Sequence, residues 1–394
     1  MMVNFNYYTP TRVVFGRGTL DQTGELVKAQ GAGKVLIHYG GGSVKRTGVL
    51  DRVKASLSAA GVDYAELGGV VPNPRLSLVR EGVELCRREG VDFLLPVGGG
   101  SVIDSAKAIG YGVADGGDVW DFYDFKRKPS ACLPIGAVLT IAAAGSEMSD
   151  SSVITNEDGG TKRGVNSDLC RPRFAVMDPE LTMTLPAYQT ACGCADILMH
   201  TMERYFNSQA EPMAITDALA EGLMRTVIDA SRVLTREPDN YAARADVMWA
   251  GSLSHNGLTG CGTGGGDWVC HKLEHELGGL FDVAHGAGLA AVWGSWARYV
   301  LPANPARFAR FAQRVLGTAP GSDDADTALR GVEAMEAYYR SIGMPTSLRE
   351  LGVEPTQAQI GEMAEKFAVA ARGGMGAIQT IREADAAAIY QAAR

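Results

Sequence analysis

Three of the six histidines of this chain lie in one short segment, DWVCHKLEHELGGLFDVAHG, residues 267–286. His271 and His275 are four residues apart on a predicted helix, which a following Gly-Gly pair is expected to end. Four helical residues bring two side chains to one face, an arrangement that suits a shared metal ion. Lys272 stands where the HExxH zinc proteases need a glutamate, so that class is excluded. His285 lies at the predicted start of the next helix.

A second pair with the same spacing occurs earlier, in CADILMH, where Asp196 and His200 are four residues apart on a mostly apolar helix. A carboxylate with several neutral imidazoles forms a mixed oxygen and nitrogen shell that suits Zn²⁺ or Fe²⁺. The alternative is a buried Asp–His pair with a structural role. Spacing alone cannot choose among the three later histidines. The other two histidines, His38 and His255, lie outside these pairs and are interpreted as structural. The candidates for metal binding are Asp196, His200, His271, His275 and His285.

Two glycine-rich turns indicate a second kind of site, YGGGSVKRTG at 39–48 and PVGGGSVIDSAK at 96–107. Glycines let a backbone approach a ligand closely, and the following helix offers free N–H groups to phosphate. Neither turn matches the GxGxxG fingerprint, and a single copy is equally typical of a tight turn with a serine cap. Two copies favour a dinucleotide site. Ser43, Lys45 and Arg46 follow the first turn where no acid does, which favours NADP over NAD, unless Lys45 and Arg46 form a solvated helix face.

The predicted secondary structure differs between the first and the second half of the chain. Apolar runs that alternate with helical patterns predict a parallel sheet with ligands beyond the carboxyl ends of its strands. Segment 139–155, rich in small and hydroxyl residues, is interpreted as a loop that lines the cofactor. The predicted strands are 34–40, 62–67, 92–100, 132–140 and 173–178. We therefore predict an α/β dinucleotide-binding domain with a parallel sheet at 1–186 and an all-α metal-binding catalytic domain at 187–394.

Composition excludes several classes of function. The chain has 394 residues, which favours two domains, and a net charge of −8, which argues against nucleic-acid or anionic-membrane partners. It shows neither a signal-peptide pattern nor an apolar run long enough to span a bilayer. Its seven cysteines are scattered, as is typical of a reducing compartment. We therefore expect a cytoplasmic protein.

Taken together, the motifs resemble those of the iron-containing (group III) alcohol dehydrogenase family. The resemblance runs nearly end to end, through YYTPTRVVFGRG, YGGGSVKRTGVLD, VGGGSVIDSAKAI, LTIAAAGSEMS, AVMDPELTMTLP, ADILMHTMERYF and DWVCHKLEHELGGLFDVAHG. Within the family the chain looks most similar to the branch of NADPH-dependent butanol dehydrogenases and broad aldehyde reductases. The resemblance implies the architecture shared by dehydroquinate synthase and the group III alcohol dehydrogenases.

The resemblance also implies a role for each matching residue, and it separates the three later histidines. The implied metal ligands are Asp196, His200, His271 and His285, while His275 matches the non-ligand histidine that faces the nicotinamide and the substrate. The implied cofactor residues are Gly98, Gly99, Gly100 and Ser101 for the pyrophosphate, Asp104 near the nicotinamide, Gly40, Gly41, Gly42, Ser43 and Asn73 at the adenosine end, and Thr140 and Lys162 around the adenine and ribose. One departure is Ala144, where the family usually has a threonine whose hydroxyl contacts the cofactor.

The expected function is hydride transfer between NADP(H), with NAD(H) as the alternative, and short-chain alcohols or aldehydes, in a cleft between the two domains. The expected metal is Fe²⁺ or Zn²⁺, and the resemblance implies a homodimer formed through the N-terminal strand. One rival is a dehydroquinate synthase-like lyase, which needs basic residues around its substrate; residues 255–286 offer mainly Lys272. Another is a non-enzymatic protein in which the metal only stabilises the fold, a role that two dinucleotide-type turns argue against.

Overall fold

The computed structural model describes residues 2–208 and 213–394, which form two compact units. The α/β unit is Tyr8–Leu185, and the helical unit is Pro186–Arg394 together with the N-terminal residues up to Tyr7. The N-terminal segment is tied to the helical unit by a hydrogen bond of 3.1 Å from the N–H of Val3 to the carbonyl of Gly262.

The α/β unit contains a six-stranded parallel sheet in the order β1-β8-β5-β4-β2-β3. Its central strands are continuous apolar runs, as expected where both faces of a parallel sheet are covered. The strands are β1 Arg12–Phe15, β2 Lys34–Gly40, β3 Asp63–Val70, β4 Phe93–Gly98, β5 Gly136–Leu139, β6 Ser151–Asn156, β7 Thr161–Asn166 and β8 Phe174–Met177. The helices are α1 Thr23–Lys28, α2 Ser43–Arg46, α3 Val49–Ala60, α4 Leu76–Glu89, α5 Gly100–Asp115 and α6 Trp120–Tyr123.

The order of the strands places both glycine-rich turns side by side. Strands β2 and β4 are hydrogen-bonded neighbours, and Tyr39 at the end of β2 pairs with Val97 at the end of β4. The connection that follows β2 leads to β3 on one side, whereas the connection that follows β4 leads to β5 on the other. Two neighbouring strands whose connections diverge form a topological switch point, where open α/β sheets bind ligands. The two turns therefore lie at the edge of the sheet where a nucleotide is expected.

The helical unit contains no strand among its described residues, which confirms the predicted all-α second half. Together with the parallel sheet, it confirms the predicted fold class. Across residues 2–208 and 213–394, no helix has the length and hydropathy needed to cross a membrane. The helices are α7 Ala187–Tyr205, α8 Ala214–Leu234, α9 Tyr241–His255, α10 Val269–Phe281, α11 His285–Val300, α12 Pro305–Arg314, α13 Asp324–Ser341, α14 Gln357–Ala370 and α15 Glu383–Ala392.

The prediction that Gly278 and Gly279 end the helix of His271 is wrong. Helix α10 continues through both glycines to Phe281 and ends at Asp282, which has a left-handed backbone (φ 52°) and donates its N–H to the carbonyl of Gly278. A helical glycine costs only about 1 kcal/mol relative to alanine, which the packing of a buried helix outweighs.

The interpretation of 139–155 as a loop is correct for only part of the segment. Residues 151–156 form strand β6, which pairs antiparallel with β7. The turn between the two strands holds Gly159 at φ 83° and Gly160 at φ 54°, left-handed positions that glycine adopts without strain. The Asp-Gly-Gly sequence at this turn is a hairpin signal that could have revealed the pair. The remaining loop, residues 140–150, connects β5 to β6.

Candidate active site

One face of helix α7 carries the first part of the candidate metal centre. Asp196, His200 and Glu203 are spaced by four and three residues, so they lie along the same side of the helix. All three are buried. The Nδ1 atom of His200 lies 3.1 Å from Oδ1 of Asp196 and 3.1 Å from the Asp196 carbonyl oxygen.

Two more histidines approach the same carboxylate oxygen from other helices. Nε2 of His271, on α10, lies 3.6 Å from Oδ1 of Asp196, and Nε2 of His285, the first residue of α11, lies 3.7 Å from it. Candidate ligand atoms of Asp196, His200 and His271 all lie within 4.8 Å of one another. The fold thus gathers three histidines around Oδ1 of Asp196, and two of them, His200 and His271, form a compact ligand group with it.

The chemistry of this cluster fits a bound cation. Oδ1 of Asp196 and Nε2 of His271 are both buried, and within the described part of the chain neither has a hydrogen-bond partner. A separation of 3.6 Å is too long for a hydrogen bond between them. Buried polar atoms are nearly always satisfied in native proteins, and each unsatisfied atom costs about 1–3 kcal/mol. A divalent ion bound to both atoms would satisfy them together.

The electrostatics of the cluster favour an ionised Asp196 beside a neutral His200 and a protonated His271. Burial lowers the pKa of His200 to about 4, against the attraction of Asp196, so its ring is neutral near pH 7. Burial by itself would raise the pKa of Asp196, but the neighbouring His200 and His285 hold it well below its usual range. Burial likewise opposes the charge on His271, yet the carboxylates of Glu203 and Asp196 outweigh it and raise its pKa to about 9. A cation that binds His271 must therefore displace a proton.

Two buried glutamates that the sequence analysis missed orient the histidine rings. Glu203 accepts a hydrogen bond from Nδ1 of His271 and another, of 3.2 Å, from its backbone N–H. Glu274 accepts a hydrogen bond from Nδ1 of His285. A ring that donates from Nδ1 keeps its Nε2 lone pair free for a metal, and Nε2 is the atom that both rings turn toward Asp196. Glu203 lies seven residues after Asp196 on α7, a two-turn spacing that could have identified it.

Replacing either glutamate by glutamine should weaken metal binding. We expect Glu203→Gln and Glu274→Gln each to lower the affinity about 10–100-fold, because a neutral amide no longer fixes the tautomer or raises the basicity of the imidazole. Competition with a chelator of known affinity measures the effect. Glu221→Gln is the matched control, since Glu221 is a buried glutamate that bonds Tyr205 and Arg310 instead. Equal affinities in all three variants would contradict an orienting role.

His275 stands apart from the compact group. It lies one turn beyond His271 on α10 and is buried, with its ring centroid 6.2 Å from that of His285. The ligand atoms that cluster around Asp196 do not include it. His285 lies outside that group as well, so the role of His275 as a non-ligand imidazole beside the centre stays a prediction.

His255, interpreted as a structural histidine outside the two pairs, packs directly against a candidate ligand. Its ring centroid lies 4.0 Å from that of His200, at the end of helix α9. Trp268 extends the cluster, with its ring 5.4 Å from His271 and 6.1 Å from His200. The guanidinium of Arg204 lies 4.5 Å from the centroid of the Trp268 ring, within range of a cation–π interaction. His255 and Trp268 therefore restrict the orientation of the candidate ligands by packing.

His38 is structural, as the sequence analysis expects. It lies in β2 and is fully buried. Its Nδ1 lies 2.9 Å from the carbonyl oxygen of Leu67, and its Nε2 lies 2.9 Å from Oγ of Ser105. Burial lowers its pKa to about 4, so the ring is neutral near pH 7.

The glycine-rich turn after β4 is shaped by close contact with the loop that follows β5. A Cβ atom on Gly99 would lie 2.9 Å from Cβ of Ile141, and one on Gly100 would lie 2.9 Å from Cβ of Ala144. Thr140 donates its backbone N–H to the carbonyl of Gly98 at 3.0 Å. Ser101 lies in the first turn of α5. The α/β unit thus brings Gly98, Gly99, Gly100, Ser101 and Thr140 together.

The other predicted cofactor residues occupy three places in the same unit. Gly40 ends β2, and Gly41, Gly42 and Ser43 follow it, with Gly42 at φ 126°. Asn73 lies between β3 and α4 and has a left-handed backbone (φ 55°), which is uncommon outside glycine. Lys162 is buried in the hairpin strand β7.

The carboxylate of Asp104 makes contacts that the sequence did not predict. Ser146 donates its hydroxyl to Oδ1, and Val153 donates its backbone N–H to Oδ2 at 2.9 Å. Asp104 thus binds the protein chain on either side of the start of β6. The nicotinamide contact implied by the resemblance stays a prediction.

Comparison with known proteins agrees with this geometry. Residues 10–179 match the family model described as iron-containing alcohol dehydrogenase, and residues 190–394 match that of the C-terminal part of the Fe-containing alcohol dehydrogenase family. NADH-dependent butanol dehydrogenase A of Clostridium acetobutylicum is 40% identical over 99% of both chains. NADPH-dependent aldehyde reductase YqhD of Escherichia coli is 38% identical over 90% of both chains. The crystal structure of an NADH-dependent butanol dehydrogenase A from Thermotoga maritima superposes with a TM-score of 0.96 at 40% identity, covering 100% of this chain and 99% of the other.

A doubly wound sheet with two glycine-rich turns and a helical unit with a buried Asp–His cluster fit the class of metal- and nucleotide-dependent dehydrogenases. The chain belongs to the iron-containing alcohol dehydrogenase family. This confirms the resemblance inferred from the sequence motifs. The dehydroquinate synthase-like lyase and the non-enzymatic protein are not favoured, because the similar proteins reported above are named as oxidoreductases.

Proposed function

We propose that this protein interconverts short-chain aldehydes and alcohols with NADP(H), using one divalent ion of iron or zinc held by Asp196, His200, His271 and His285. The observation that carries the proposal is the buried pair formed by Oδ1 of Asp196 and Nε2 of His271, which lack hydrogen-bond partners among the described residues. Hydrogen bonds from Nδ1 of His271 and of His285 to buried glutamates support it, because they turn both Nε2 atoms toward Asp196.

When bound, the ion supplies Lewis-acid polarisation of the substrate oxygen and the nicotinamide supplies the hydride. The residues of the chain supply placement. Glu203 and Glu274 keep two imidazoles in the tautomer that presents Nε2, and burial keeps water away from Asp196. His275 holds or transfers the alcohol proton at an imidazole nitrogen, a role that its position beside the ligand group supports.

The residues after β2 support NADP(H) over the alternative NAD(H). Lys45 and Arg46 are exposed on α2, with Nζ of Lys45 4.9 Å from the centroid of the Tyr39 ring. The acidic residue of the adjacent strand, Glu66, is already bonded to Nζ of Lys54 at 2.7 Å and to the Tyr39 hydroxyl at 3.4 Å. Two cations without a competing carboxylate suit a 2′-phosphate. The similar proteins include both NADH- and NADPH-dependent enzymes by name, so selectivity needs its own measurement.

We also propose a cytoplasmic homodimer formed through residues 6–16. Strand β1 is at an edge of the sheet and pairs with β8 on one side. Exposed aromatic side chains lie before it and at its end, Tyr8 at 56% and Phe15 at 39%. Exposed strand edges with apolar side chains favour pairing with another chain. Analytical ultracentrifugation would contradict the dimer if it found only monomers at micromolar concentration.

The proposed activity is tested by NADPH oxidation with butyraldehyde, followed by absorbance. We expect turnover that a strong chelator lowers at least about tenfold and that Fe²⁺ or Zn²⁺ restores, because the ion supplies several kcal/mol of stabilisation. Elemental analysis of protein purified without added metal identifies the ion, and parallel assays with NADH give the nucleotide preference. An absence of chelator-sensitive turnover across a panel of aldehydes would reject the dehydrogenase.

A further inference from the structure

Lys107, on α5 of the α/β unit, is fully buried and surrounded by oxygen atoms of the end of one loop and of the first residue of β6. Its Nζ atom lies 2.7 Å from the Ser146 carbonyl, 3.0 Å from the Ser146 hydroxyl, 3.0 Å from the Ser149 carbonyl, 3.2 Å from the Ser149 hydroxyl and 2.7 Å from the Ser151 carbonyl. An ammonium has three N–H donors, so five acceptors share them. These contacts offset the high cost of burying a charge.

The loop that Lys107 binds is the one that covers the glycine-rich turn after β4. This loop, residues 140–150, packs its near end on the turn, with Ile141 against Gly99 and Ala144 against Gly100. Its far end is the segment whose oxygens surround Nζ of Lys107. The loop is therefore held between the turn at the start of α5 and a lysine two turns further along the same helix.

Asp104 provides a second attachment point for the loop on the same helix. It lies three residues before Lys107 on α5, and its carboxylate accepts hydrogen bonds from the Ser146 hydroxyl and from the backbone N–H of Val153. Ser146 thus contacts both side chains, donating to the anion and accepting from the cation. From one helix face, the carboxylate of Asp104 binds hydrogen-bond donors of this segment and the ammonium of Lys107 binds its acceptors.

The sequence of the loop explains why it needs such an attachment. Residues 142–145 are Ala-Ala-Ala-Gly and carry no long side chain that could anchor them. Ordering the backbone of each residue costs about 1–2 kcal/mol. Arg171 and Ser167 bind the carbonyls of Met148 and Asp150, and the bonds to Lys107 add the attachment of the loop to α5 that keeps Ile141 and Ala144 against the turn.

We propose that Lys107 is a positioning residue, which fixes the 140–150 loop against residues 98–100 and so preorganises the subsite for the nucleotide diphosphate. The proposal rests on the proposed NADP(H) function, because the turn is the place where the diphosphate would bind. Lys107 does not touch the nucleotide in this arrangement. Its effect is to remove the ordering cost that binding would otherwise incur.

The test compares Lys107→Met with wild type and two further variants. Methionine keeps the unbranched side chain up to the ε position but removes the ammonium, with its charge and all three donors. Ser149→Ala removes a single acceptor, and Val83→Ala, in the core of the same unit, is the matched control for general destabilisation. The NADPH dissociation constant is measured by fluorescence titration, KM and kcat by steady-state kinetics, and loop order by hydrogen exchange of residues 141–151 without nucleotide.

We expect Lys107→Met to raise the NADPH dissociation constant and KM at least about tenfold, to leave the aldehyde KM unchanged and to accelerate exchange across 141–151. Ser149→Ala should do the same to a smaller degree, and Val83→Ala should do neither. Wild-type NADPH affinity and exchange in Lys107→Met, or equal changes in Val83→Ala, would overturn the proposal. If Lys107→Met does not fold, Ser149→Ala decides by the same criteria. Failure of the proposed function looks different, because the wild-type protein itself would then not bind NADPH.

Discussion

Replacement of Asp196 by asparagine is expected to remove the metal and to lower turnover at least about 1000-fold, equivalent to about 4 kcal/mol of transition-state stabilisation. Asp196 is the one carboxylate of the compact ligand group, and its Oδ1 lies 3.1–3.7 Å from a ring nitrogen of His200, His271 and His285. An amide has the same size but carries no charge. Three imidazoles without an anion bind a divalent ion more weakly, and the protein no longer offsets its charge.

The measurement is metal content by elemental analysis together with kcat for butyraldehyde reduction. Asp217→Asn is the matched control, because Asp217 is as deeply buried in the same unit but binds the guanidinium of Arg307. That variant should lose stability, since it leaves a buried arginine without its anion, yet keep its metal. Full metal content and wild-type turnover in Asp196→Asn would show that the cluster is a structural Asp–His network.

The candidate metal centre was found from sequence spacing, but spacing alone could not assign it. His271 and His275 have the same i, i+4 relation as Asp196 and His200, so helical geometry favours both pairs equally. The difference lies in where neighbouring helices run: α11 brings His285 to Asp196, and His275 lies one turn further along α10. That information is tertiary, and only the resemblance supplied it in advance.

The residues that escaped prediction act through contacts that no local pattern encodes. In the sequence, Glu203 and Glu274 look like ordinary polar residues of amphipathic helices. In the structure they accept hydrogen bonds from His271 and His285. Lys107 is surrounded mainly by carbonyl oxygens roughly forty residues away along the chain, and backbone acceptors leave no trace in sequence.

The secondary structure was predictable from the sequence where burial alone determines it, and not where burial and local residue preferences compete. Apolar runs such as that of β4 have both faces covered, so burial alone defines them as strands. Strands β6 and β7 are half polar and become visible only through the Asp-Gly-Gly turn that joins them. In helix α10 the sequence predicted an end that does not occur. A glycine pair would end a solvent-exposed helix, but this buried helix continues through it.

The second large effect is expected at His275. His275→Ala should lower kcat about 100-fold, the lower end of what a positioned acid or base contributes, while metal content stays at the wild-type level. In His271→Ala, by contrast, the metal itself should be lost, because His271 belongs to the compact ligand group. The two histidines are one turn apart on α10 and equally buried, at 7% exposure each, so general damage to the helix should be similar.

Comparing these two variants therefore distinguishes a histidine that transfers a proton from a histidine that binds the metal, both on one face of the same helix. Imidazole added to the assay should partly restore His275→Ala, since a diffusible base can take the place of a missing proton carrier, and should not restore His271→Ala at the same metal concentration. Loss of metal from His275→Ala would make His275 a ligand and would end its proposed role in proton transfer. Unchanged kcat with full metal content would mean that the alcohol proton reaches water without help from an imidazole, and that burial of His275 serves packing alone.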